Sequence, residues 1–219
     1  MYEICSSIFM PLEFLGVRIY EPMTVLTNFI LTGMCWYFFK KLKANDRNWA
    51  LFFLFLACST FFAAIGHGYA DSLDNPVKFV ARIFAILSVM FGGVASIRTL
   101  SNLRSRNLLT AFMFVQSLVF LGWLIAVNTF VPIKLNSVVG LGVIVLGIHL
   151  YHLIREKAAR DLWIVTGILV SASAAIVNTY QIGLSPNFTY HDVGHVVMMV
   201  GLLIMYQGIS KYALSYVEK

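Results

Sequence analysis

Long apolar runs alternate with short polar segments along most of this 219-residue chain. A helix of about 20 apolar residues crosses the roughly 30 Å hydrocarbon layer of a bilayer, and several runs reach that length. Backbone groups inside lipid need internal hydrogen bonds, which favours helices. The predicted spans are 22–39, 49–70, 77–98, 108–128, 135–154, 162–182 and 191–212. We therefore predict an all-α integral membrane protein, a bundle of seven transmembrane helices.

Composition supports a membrane protein with little mass outside the bilayer. The chain is 59% hydrophobic and 12% charged, with a mean hydropathy of +0.81, whereas soluble domains are about 25% charged. Residues 1–219 are expected to form a single transmembrane domain. Residues 1–20 lack the basic start and the cleavage site of a signal peptide. They are predicted to form an interfacial helix on the outer face.

The net charge of +6 reflects topology rather than an acidic partner. Basic residues collect in alternate loops, which is typical of the cytoplasmic side of membrane proteins. These residues are Lys40, Lys41, Lys43, Arg47, Arg98, Arg104, Arg106, Arg155, Lys157 and Arg160. The pattern predicts an N-terminus outside the cell and a cytoplasmic C-terminus. It calls for no nucleic-acid partner.

Ionisable side chains collect at the outer end of the predicted bundle. They are Glu21, His67, Asp71, Asp74, His191, Asp192 and His195. His191 and His195 form an H-x-x-x-H pair, whose members share one helix face. With His67 they supply three nitrogens, the number that a water-activating zinc ion takes from protein. A carboxylate partner is the alternative for each histidine, since a buried imidazole needs one.

A second histidine pair, His149 and His152, lies at the inner end of the fifth predicted span. The spacing of three residues would allow a shared ligand. The following loop is basic, however, with Arg155 and Lys157, and no acidic partner is evident there. These two histidines are therefore predicted to be interfacial.

Two segments resemble the alkaline ceramidase superfamily, which includes the progestin and adipoQ receptors. The first is Glu-Pro-Met-Thr-Val-Leu-Thr-Asn at 21–28, and the second is the H-x-x-x-H pair of the last span. The resemblance implies a zinc ion held by His67, His191 and His195, whose bound water attacks an amide bond of a lipid. Glu21 matches a residue that contributes to a calcium site in the ceramidases. Here it is predicted to cap the first helix or to hydrogen-bond a ligand histidine.

The chain departs from that family at two positions that matter for catalysis. Ala63 stands where the family has a serine, and Lys78 and Phe79 stand where it has an aspartate. The general base would then be Asp71 or Asp74. Alternatively, Asp71 is a fourth ligand and the zinc site is closed and structural.

Three functions follow from these residues. The first is a zinc-dependent membrane hydrolase that cleaves an amide or ester bond of a lipid. The alternative is a non-enzymatic receptor or lipid-binding protein with a structural zinc ion. A haem held between His67 and one histidine of the last span is the third. For the first two, the expected partner is a membrane lipid.

Overall fold

The structure is a computed structural model that describes residues 12–14, 17–69, 75–157 and 159–217. Two short strands, β1 (Leu12–Phe14) and β2 (Val17–Ile19), pair antiparallel. The helices within these ranges are α1 (Pro22–Leu42), α2 (Arg47–Tyr69), α3 (Pro76–Ile97), α4 (Leu103–Val127), α5 (Val131–Glu156), α6 (Ala159–Thr179) and α7 (Tyr190–Val217). The protein is therefore an all-helical bundle with one small hairpin.

Six helices, α2 to α7, contain segments long and apolar enough to cross a membrane. This confirms a multi-pass membrane protein. The 21-residue α1 falls outside that set, because its apolar segment also contains Asn28 and three threonines. The number of transmembrane passes and their sidedness stay predictions.

The N-terminal segment differs from the sequence prediction. Residues 1–11 and 15–16 lie outside the described residues, but the described part is the β1–β2 hairpin rather than an interfacial helix. Val17 and Ile19 are β-branched and flank a polar Arg18, a period-two pattern that favours a strand. The backbone N–H of Tyr20 donates to Gly68 O at 3.3 Å, which ties the hairpin to the end of α2.

Local signals in the loops set several helix boundaries. Asn75 accepts a hydrogen bond from the N–H of Val77 at the start of α3, and Asn102 accepts one from Ser105 at the start of α4. Asp46 does the same for the second and third residues of α2. Such caps satisfy amides that a first helical turn leaves unpaired. Lys157 has a left-handed φ of 51°, which ends α5 and turns the chain into α6.

Small residues let α6 and α7 pack with their backbones in contact. A Cβ on Gly167 would lie 2.6 Å from Gly201 O and 2.6 Å from Met205 N. A Cβ on Gly201 would overlap Ser171. Close approach at small residues is the usual way that helices associate in lipid. The α6–α7 interface is therefore built around Gly167, Ser171 and Gly201.

The apolar core lies among α1, α2, α3, α5, α6 and α7, whereas α4 packs along one narrow face. Phe38 and Tyr206 stack across α1 and α7 with centroids 4.1 Å apart. In α4 the buried side chains are Met113, Gln116, Ser117 and Leu124, and its other faces expose leucine, valine and isoleucine. Apolar surface of this kind suits contact with lipid tails.

Candidate functional site

Chain direction brings two sets of polar side chains to opposite ends of the bundle. The first, which we call the Glu21 end, comprises the starts of α1, α3 and α7 and the end of α2. The second, the Asp161 end, comprises the starts of α2 and α6 and the ends of α3 and α5. Loops that carry the basic residues 40–47, 98–106 and 155–160 all lie at the Asp161 end.

The Glu21 end holds the three histidines predicted as metal ligands. His67 occupies the last turn of α2, and His191 and His195 occupy the first two turns of α7. The rings of His67 and His191 have centroids 6.2 Å apart. The fold thus brings together residues that are 124 positions apart in the sequence.

Two of these rings are held through their Nδ1 atoms. His67 Nδ1 lies 2.9 Å from Glu21 Oε2, and His195 Nδ1 lies 2.9 Å from Thr27 Oγ1. Burial raises the pKa of Glu21, but the hydrogen bond to His67 and the nearby charges outweigh it, so the pKa lies below its ordinary value. Glu21 is therefore a carboxylate that accepts the Nδ1 proton of His67.

Thr27 places the proton of His195 on Nδ1, as Glu21 does for His67. The Thr27 hydroxyl donates to Thr24 O at 3.2 Å, so the Nδ1–H of His195 donates to Thr27 Oγ1. A proton on Nδ1 leaves the lone pair on Nε2 in both rings. Metal-binding histidines are held in this way, with the second nitrogen bonded to a carboxylate or a neutral oxygen. These donors suit a metal ion, and Glu21 hydrogen-bonds His67, whereas its side chain does not cap α1, the other role predicted for it.

The three rings nevertheless do not form a compact set of donors. Within the described ranges, one group of three histidine, cysteine or acidic side chains has its donor atoms within 4.8 Å of one another, and it lies at the Asp161 end. Metal ligation by His67, His191 and His195 therefore stays a prediction. The proposed bases Asp71 and Asp74 lie outside the described residues.

Lys78 adds a buried positive charge to the Glu21 end. It lies on the first turn of α3, and its charge acts on Glu21 and His191. Gly66 makes room for it, because a Cβ there would lie 2.6 Å from Lys78 Cγ. Asn75 Nδ2 donates to Gly66 O at 3.3 Å and fixes α3 against α2.

Asp192 makes hydrogen bonds to the residue that precedes α7. Its Oδ2 accepts hydrogen bonds from the backbone N–H and the hydroxyl of Thr189, at 2.6 and 3.1 Å. The side chain is buried, and Oδ1 has no hydrogen-bond partner within the described part of the chain. These two hydrogen bonds, both donated by Thr189, tie the residue before α7 to the first turn that carries His191.

The Asp161 end corrects the prediction that His149 and His152 are interfacial without an acidic partner. Both are buried, with exposed fractions of 2% and 4%, and Asp161 from α6 is buried between them at 2%. His149 Nδ1 lies 2.5 Å from Asp161 Oδ1, and His152 Nδ1 lies 3.9 Å from the same oxygen. Asp161 follows the basic loop in the first turn of α6, and the start of that helix turns its side chain inward.

Sequence reasoning missed Asp161 because it lies just after Arg160, in the first turn of α6. The usable signal was an H-x-x-H pair at a helix end followed, 12 residues after its first histidine, by an acid at the next helix start. A tight turn at Lys157 brings those two helix ends together. On the remaining side, Ser96 Oγ of α3 lies 3.1 Å from His149 Nε2.

Fold and site together define a multi-pass helical membrane protein with a histidine-rich polar cluster at each end. Residues 23–214 match DUF6962, a family of unknown function, and the chain belongs to that family. The match begins in α1, ends in α7 and contains every histidine discussed above. No curated protein and no solved structure matches the chain. Its function is therefore argued from the sites.

Proposed function

We propose that the protein is a zinc-dependent membrane hydrolase that cleaves an amide or ester bond of a lipid at the Glu21 end. The observation that carries the proposal is the pair of held imidazoles. His67 bonds Glu21 and His195 bonds Thr27 through Nδ1, which leaves two Nε2 lone pairs beside His191. The resemblance to the alkaline ceramidase superfamily supports the same three ligands.

The residues of the chain have separable roles in this proposal. His67, His191 and His195 hold the ion, which when bound activates water and polarises a carbonyl group. Glu21 and Thr27 fix the tautomers and orientations of two ligands. Asp192 holds the first turn of α7 and hence the spacing of the H-x-x-x-H pair. Asp71 and Asp74 stay the candidate general bases.

The distribution of basic residues indicates which end of the bundle faces the cytoplasm. The basic loops collect at the Asp161 end, and positively charged loops face the cytoplasm in most membrane proteins. In this proposal α1 also crosses the bilayer, as the first of seven spans, and the Glu21 end faces the outer side. A lipid substrate then reaches the histidines from the outer leaflet.

A second candidate, a non-enzymatic receptor or lipid-binding protein with a structural zinc ion, is favoured by two specific residues. Ala63 cannot donate a hydrogen bond to an oxyanion, and Lys78 places a cation where the resembling family has a carboxylate. A buried ammonium also opposes a metal ion electrostatically. The same site without a base would bind a lipid and leave it intact.

Metal content and hydrolysis together test both candidates. The full chain, purified in detergent and loaded with Zn²⁺, is compared with His195→Gln by elemental analysis and by release of acyl chains from lipid amides and esters. The hydrolase proposal expects His195→Gln to lose about one zinc ion per chain together with its activity. Zinc loss without hydrolysis of any lipid by the wild type favours the binding protein. No difference in zinc between the two proteins contradicts both.

A further inference from the structure

We propose that His149, His152 and Asp161 form a second, buried site for a divalent transition-metal ion of the zinc class. This site is independent of the proposed hydrolase site, which lies at the other end of the bundle. Its donors come from the end of α5 and the start of α6. Ser96 of α3 contacts the opposite nitrogen of the His149 ring. Within the described ranges, it is the group of three ligand side chains whose donor atoms all lie within 4.8 Å.

The hydrogen bonds around His149 call for a cation between its ring and Asp161. The hydroxyl of Ser96 donates to Gly92 O at 3.0 Å, so Ser96 Oγ accepts from the Nε2–H of His149 at 3.1 Å. The Nδ1 lone pair of a neutral ring then faces Asp161 Oδ1 at 2.5 Å. Two acceptors that close repel each other unless a proton or a metal ion lies between them.

His152 favours the metal ion over the proton. Its Nδ1 lies 3.9 Å from the same Asp161 oxygen, too far for a hydrogen bond, and its ring is buried. Zinc–nitrogen bonds of about 2.0–2.1 Å in a tetrahedral site separate neighbouring ligand atoms by about 3.4 Å. The observed separations of 2.5 and 3.9 Å bracket that value. A shift of Asp161 Oδ1 away from His149 and toward His152 brings both separations closer to the zinc value.

The alternative arrangement, a Ser96–His149–Asp161 relay for nucleophilic catalysis, fits less well. Ser96 would have to turn its proton from Gly92 O to His149 Nε2. Its side chain is fully buried, at 0% exposed, so a substrate carbonyl has no approach to Oγ. A relay also has no use for His152 beside the carboxylate.

The surroundings indicate a structural rather than a catalytic ion. All three ligand side chains are buried, so a substrate has no access to the fourth coordination position of the ion. Arg160 Nε lies 3.5 Å from Asp161 Oδ2, on the oxygen that does not face the histidines, and its side chain is 35% exposed. The ion would join α5 to α6 across the turn at Lys157, and to α3 through Ser96. Imidazole and carboxylate donors suit zinc among the available divalent ions.

The test uses a parent variant that lacks the three histidines of the Glu21 end. The parent is the full chain with His67→Gln, His191→Gln and His195→Gln, purified in detergent, stripped with a chelator, loaded with Zn²⁺ and freed of excess. We expect about one zinc ion per chain by elemental analysis. Adding Asp161→Asn or His152→Gln should remove it. The matched control is Asp46→Asn, an acid-to-amide change at the same end that keeps a capping residue at the start of α2.

Thermal unfolding supplies a second readout, because an ion that binds only the folded state raises the melting temperature. Zinc should raise it in the parent and in Asp46→Asn, and leave it unchanged in Asp161→Asn. If Asp161→Asn fails to fold, His152→Gln decides alone. Ser96→Ala should keep the ion with about 10–100-fold lower affinity, the usual loss for a group that orients a ligand.

A folded parent that takes up no zinc overturns the proposal, as does zinc that persists in both Asp161→Asn and His152→Gln. The hydrolase proposal fails by a different result, the lack of zinc loss in His195→Gln on the otherwise wild-type chain. The two proposals can therefore fail separately.

Discussion

The two ends of the bundle use histidine in different surroundings. At the Glu21 end each held imidazole has its own partner, Glu21 or Thr27, and His67 keeps 23% of its side chain exposed. At the Asp161 end two imidazoles face one carboxylate oxygen, and all three groups are buried. Separate partners and partial exposure suit a site that admits a ligand. Two histidines that face one carboxylate, all of them buried, suit a site that stabilises the fold.

The largest expected effect tests that difference at the Asp161 end. Asp161→Ala leaves His149 buried without its partner, and we expect a loss of about 3 kcal/mol in the free energy of unfolding. Chelator-treated protein in detergent, unfolded by heat or denaturant, gives the value. Asp46→Ala, which removes only a helix cap, should cost about 1 kcal/mol. Equal losses in the two variants would contradict a special role for Asp161.

Glu21→Ala should cost less, about 2 kcal/mol, although it also removes the partner of a histidine. Water can reach His67, whose side chain is 23% exposed, and replace part of the lost hydrogen bond. The same variant should weaken zinc binding at the Glu21 end about 10–100-fold. A loss of stability as large as that of Asp161→Ala would show that the two ends do not differ in this way.

Gly66→Ala tests the packing that places Lys78 at the Glu21 end. Its Cβ would lie 2.6 Å from Lys78 Cγ, which has little freedom to move, and such overpacking costs about 1–3 kcal/mol. The gain in helix propensity, up to about 1 kcal/mol, offsets part of this cost. We expect a net destabilisation of about 1 kcal/mol. At Gly33 a Cβ meets nothing within 4 Å, so Gly33→Ala should be neutral or stabilising in the same thermal assay.

The smallest effects concern the two hydroxyl groups that contact histidines. Thr27→Val and Ser96→Ala each remove a neutral hydrogen bond to a histidine, at 2.9 and 3.1 Å, together with the hydroxyl's bond to a carbonyl oxygen of its own helix, and each should cost about 1 kcal/mol. Only Thr27→Val should weaken zinc binding in a chain with an intact Glu21 end and the Asp161→Asn change. A fall in that affinity caused by Ser96→Ala would mean that the two ends are coupled.

Sequence reasoning placed the helices within a few residues. The second span was predicted at 49–70 and is Arg47–Tyr69, and the fifth was predicted at 135–154 and is Val131–Glu156. It also predicted that His67, His191 and His195 lie at one end, which follows from chain direction alone. The hairpin at the N-terminus was not predicted, because two strands of three residues carry too short a pattern.

The sequence by itself determined the class of protein, since apolar runs of bilayer length have few alternatives to membrane helices. It also determined which residues share an end of the bundle. Only the tertiary structure decided which polar groups meet, because a run that is apolar all round does not state which face turns inward. That choice depends on close contacts such as Gly167 with Gly201 and on the turn at Lys157. Asp161, which lies just before the predicted span 162–182, meets His149 in a buried cluster that the apolar pattern did not indicate.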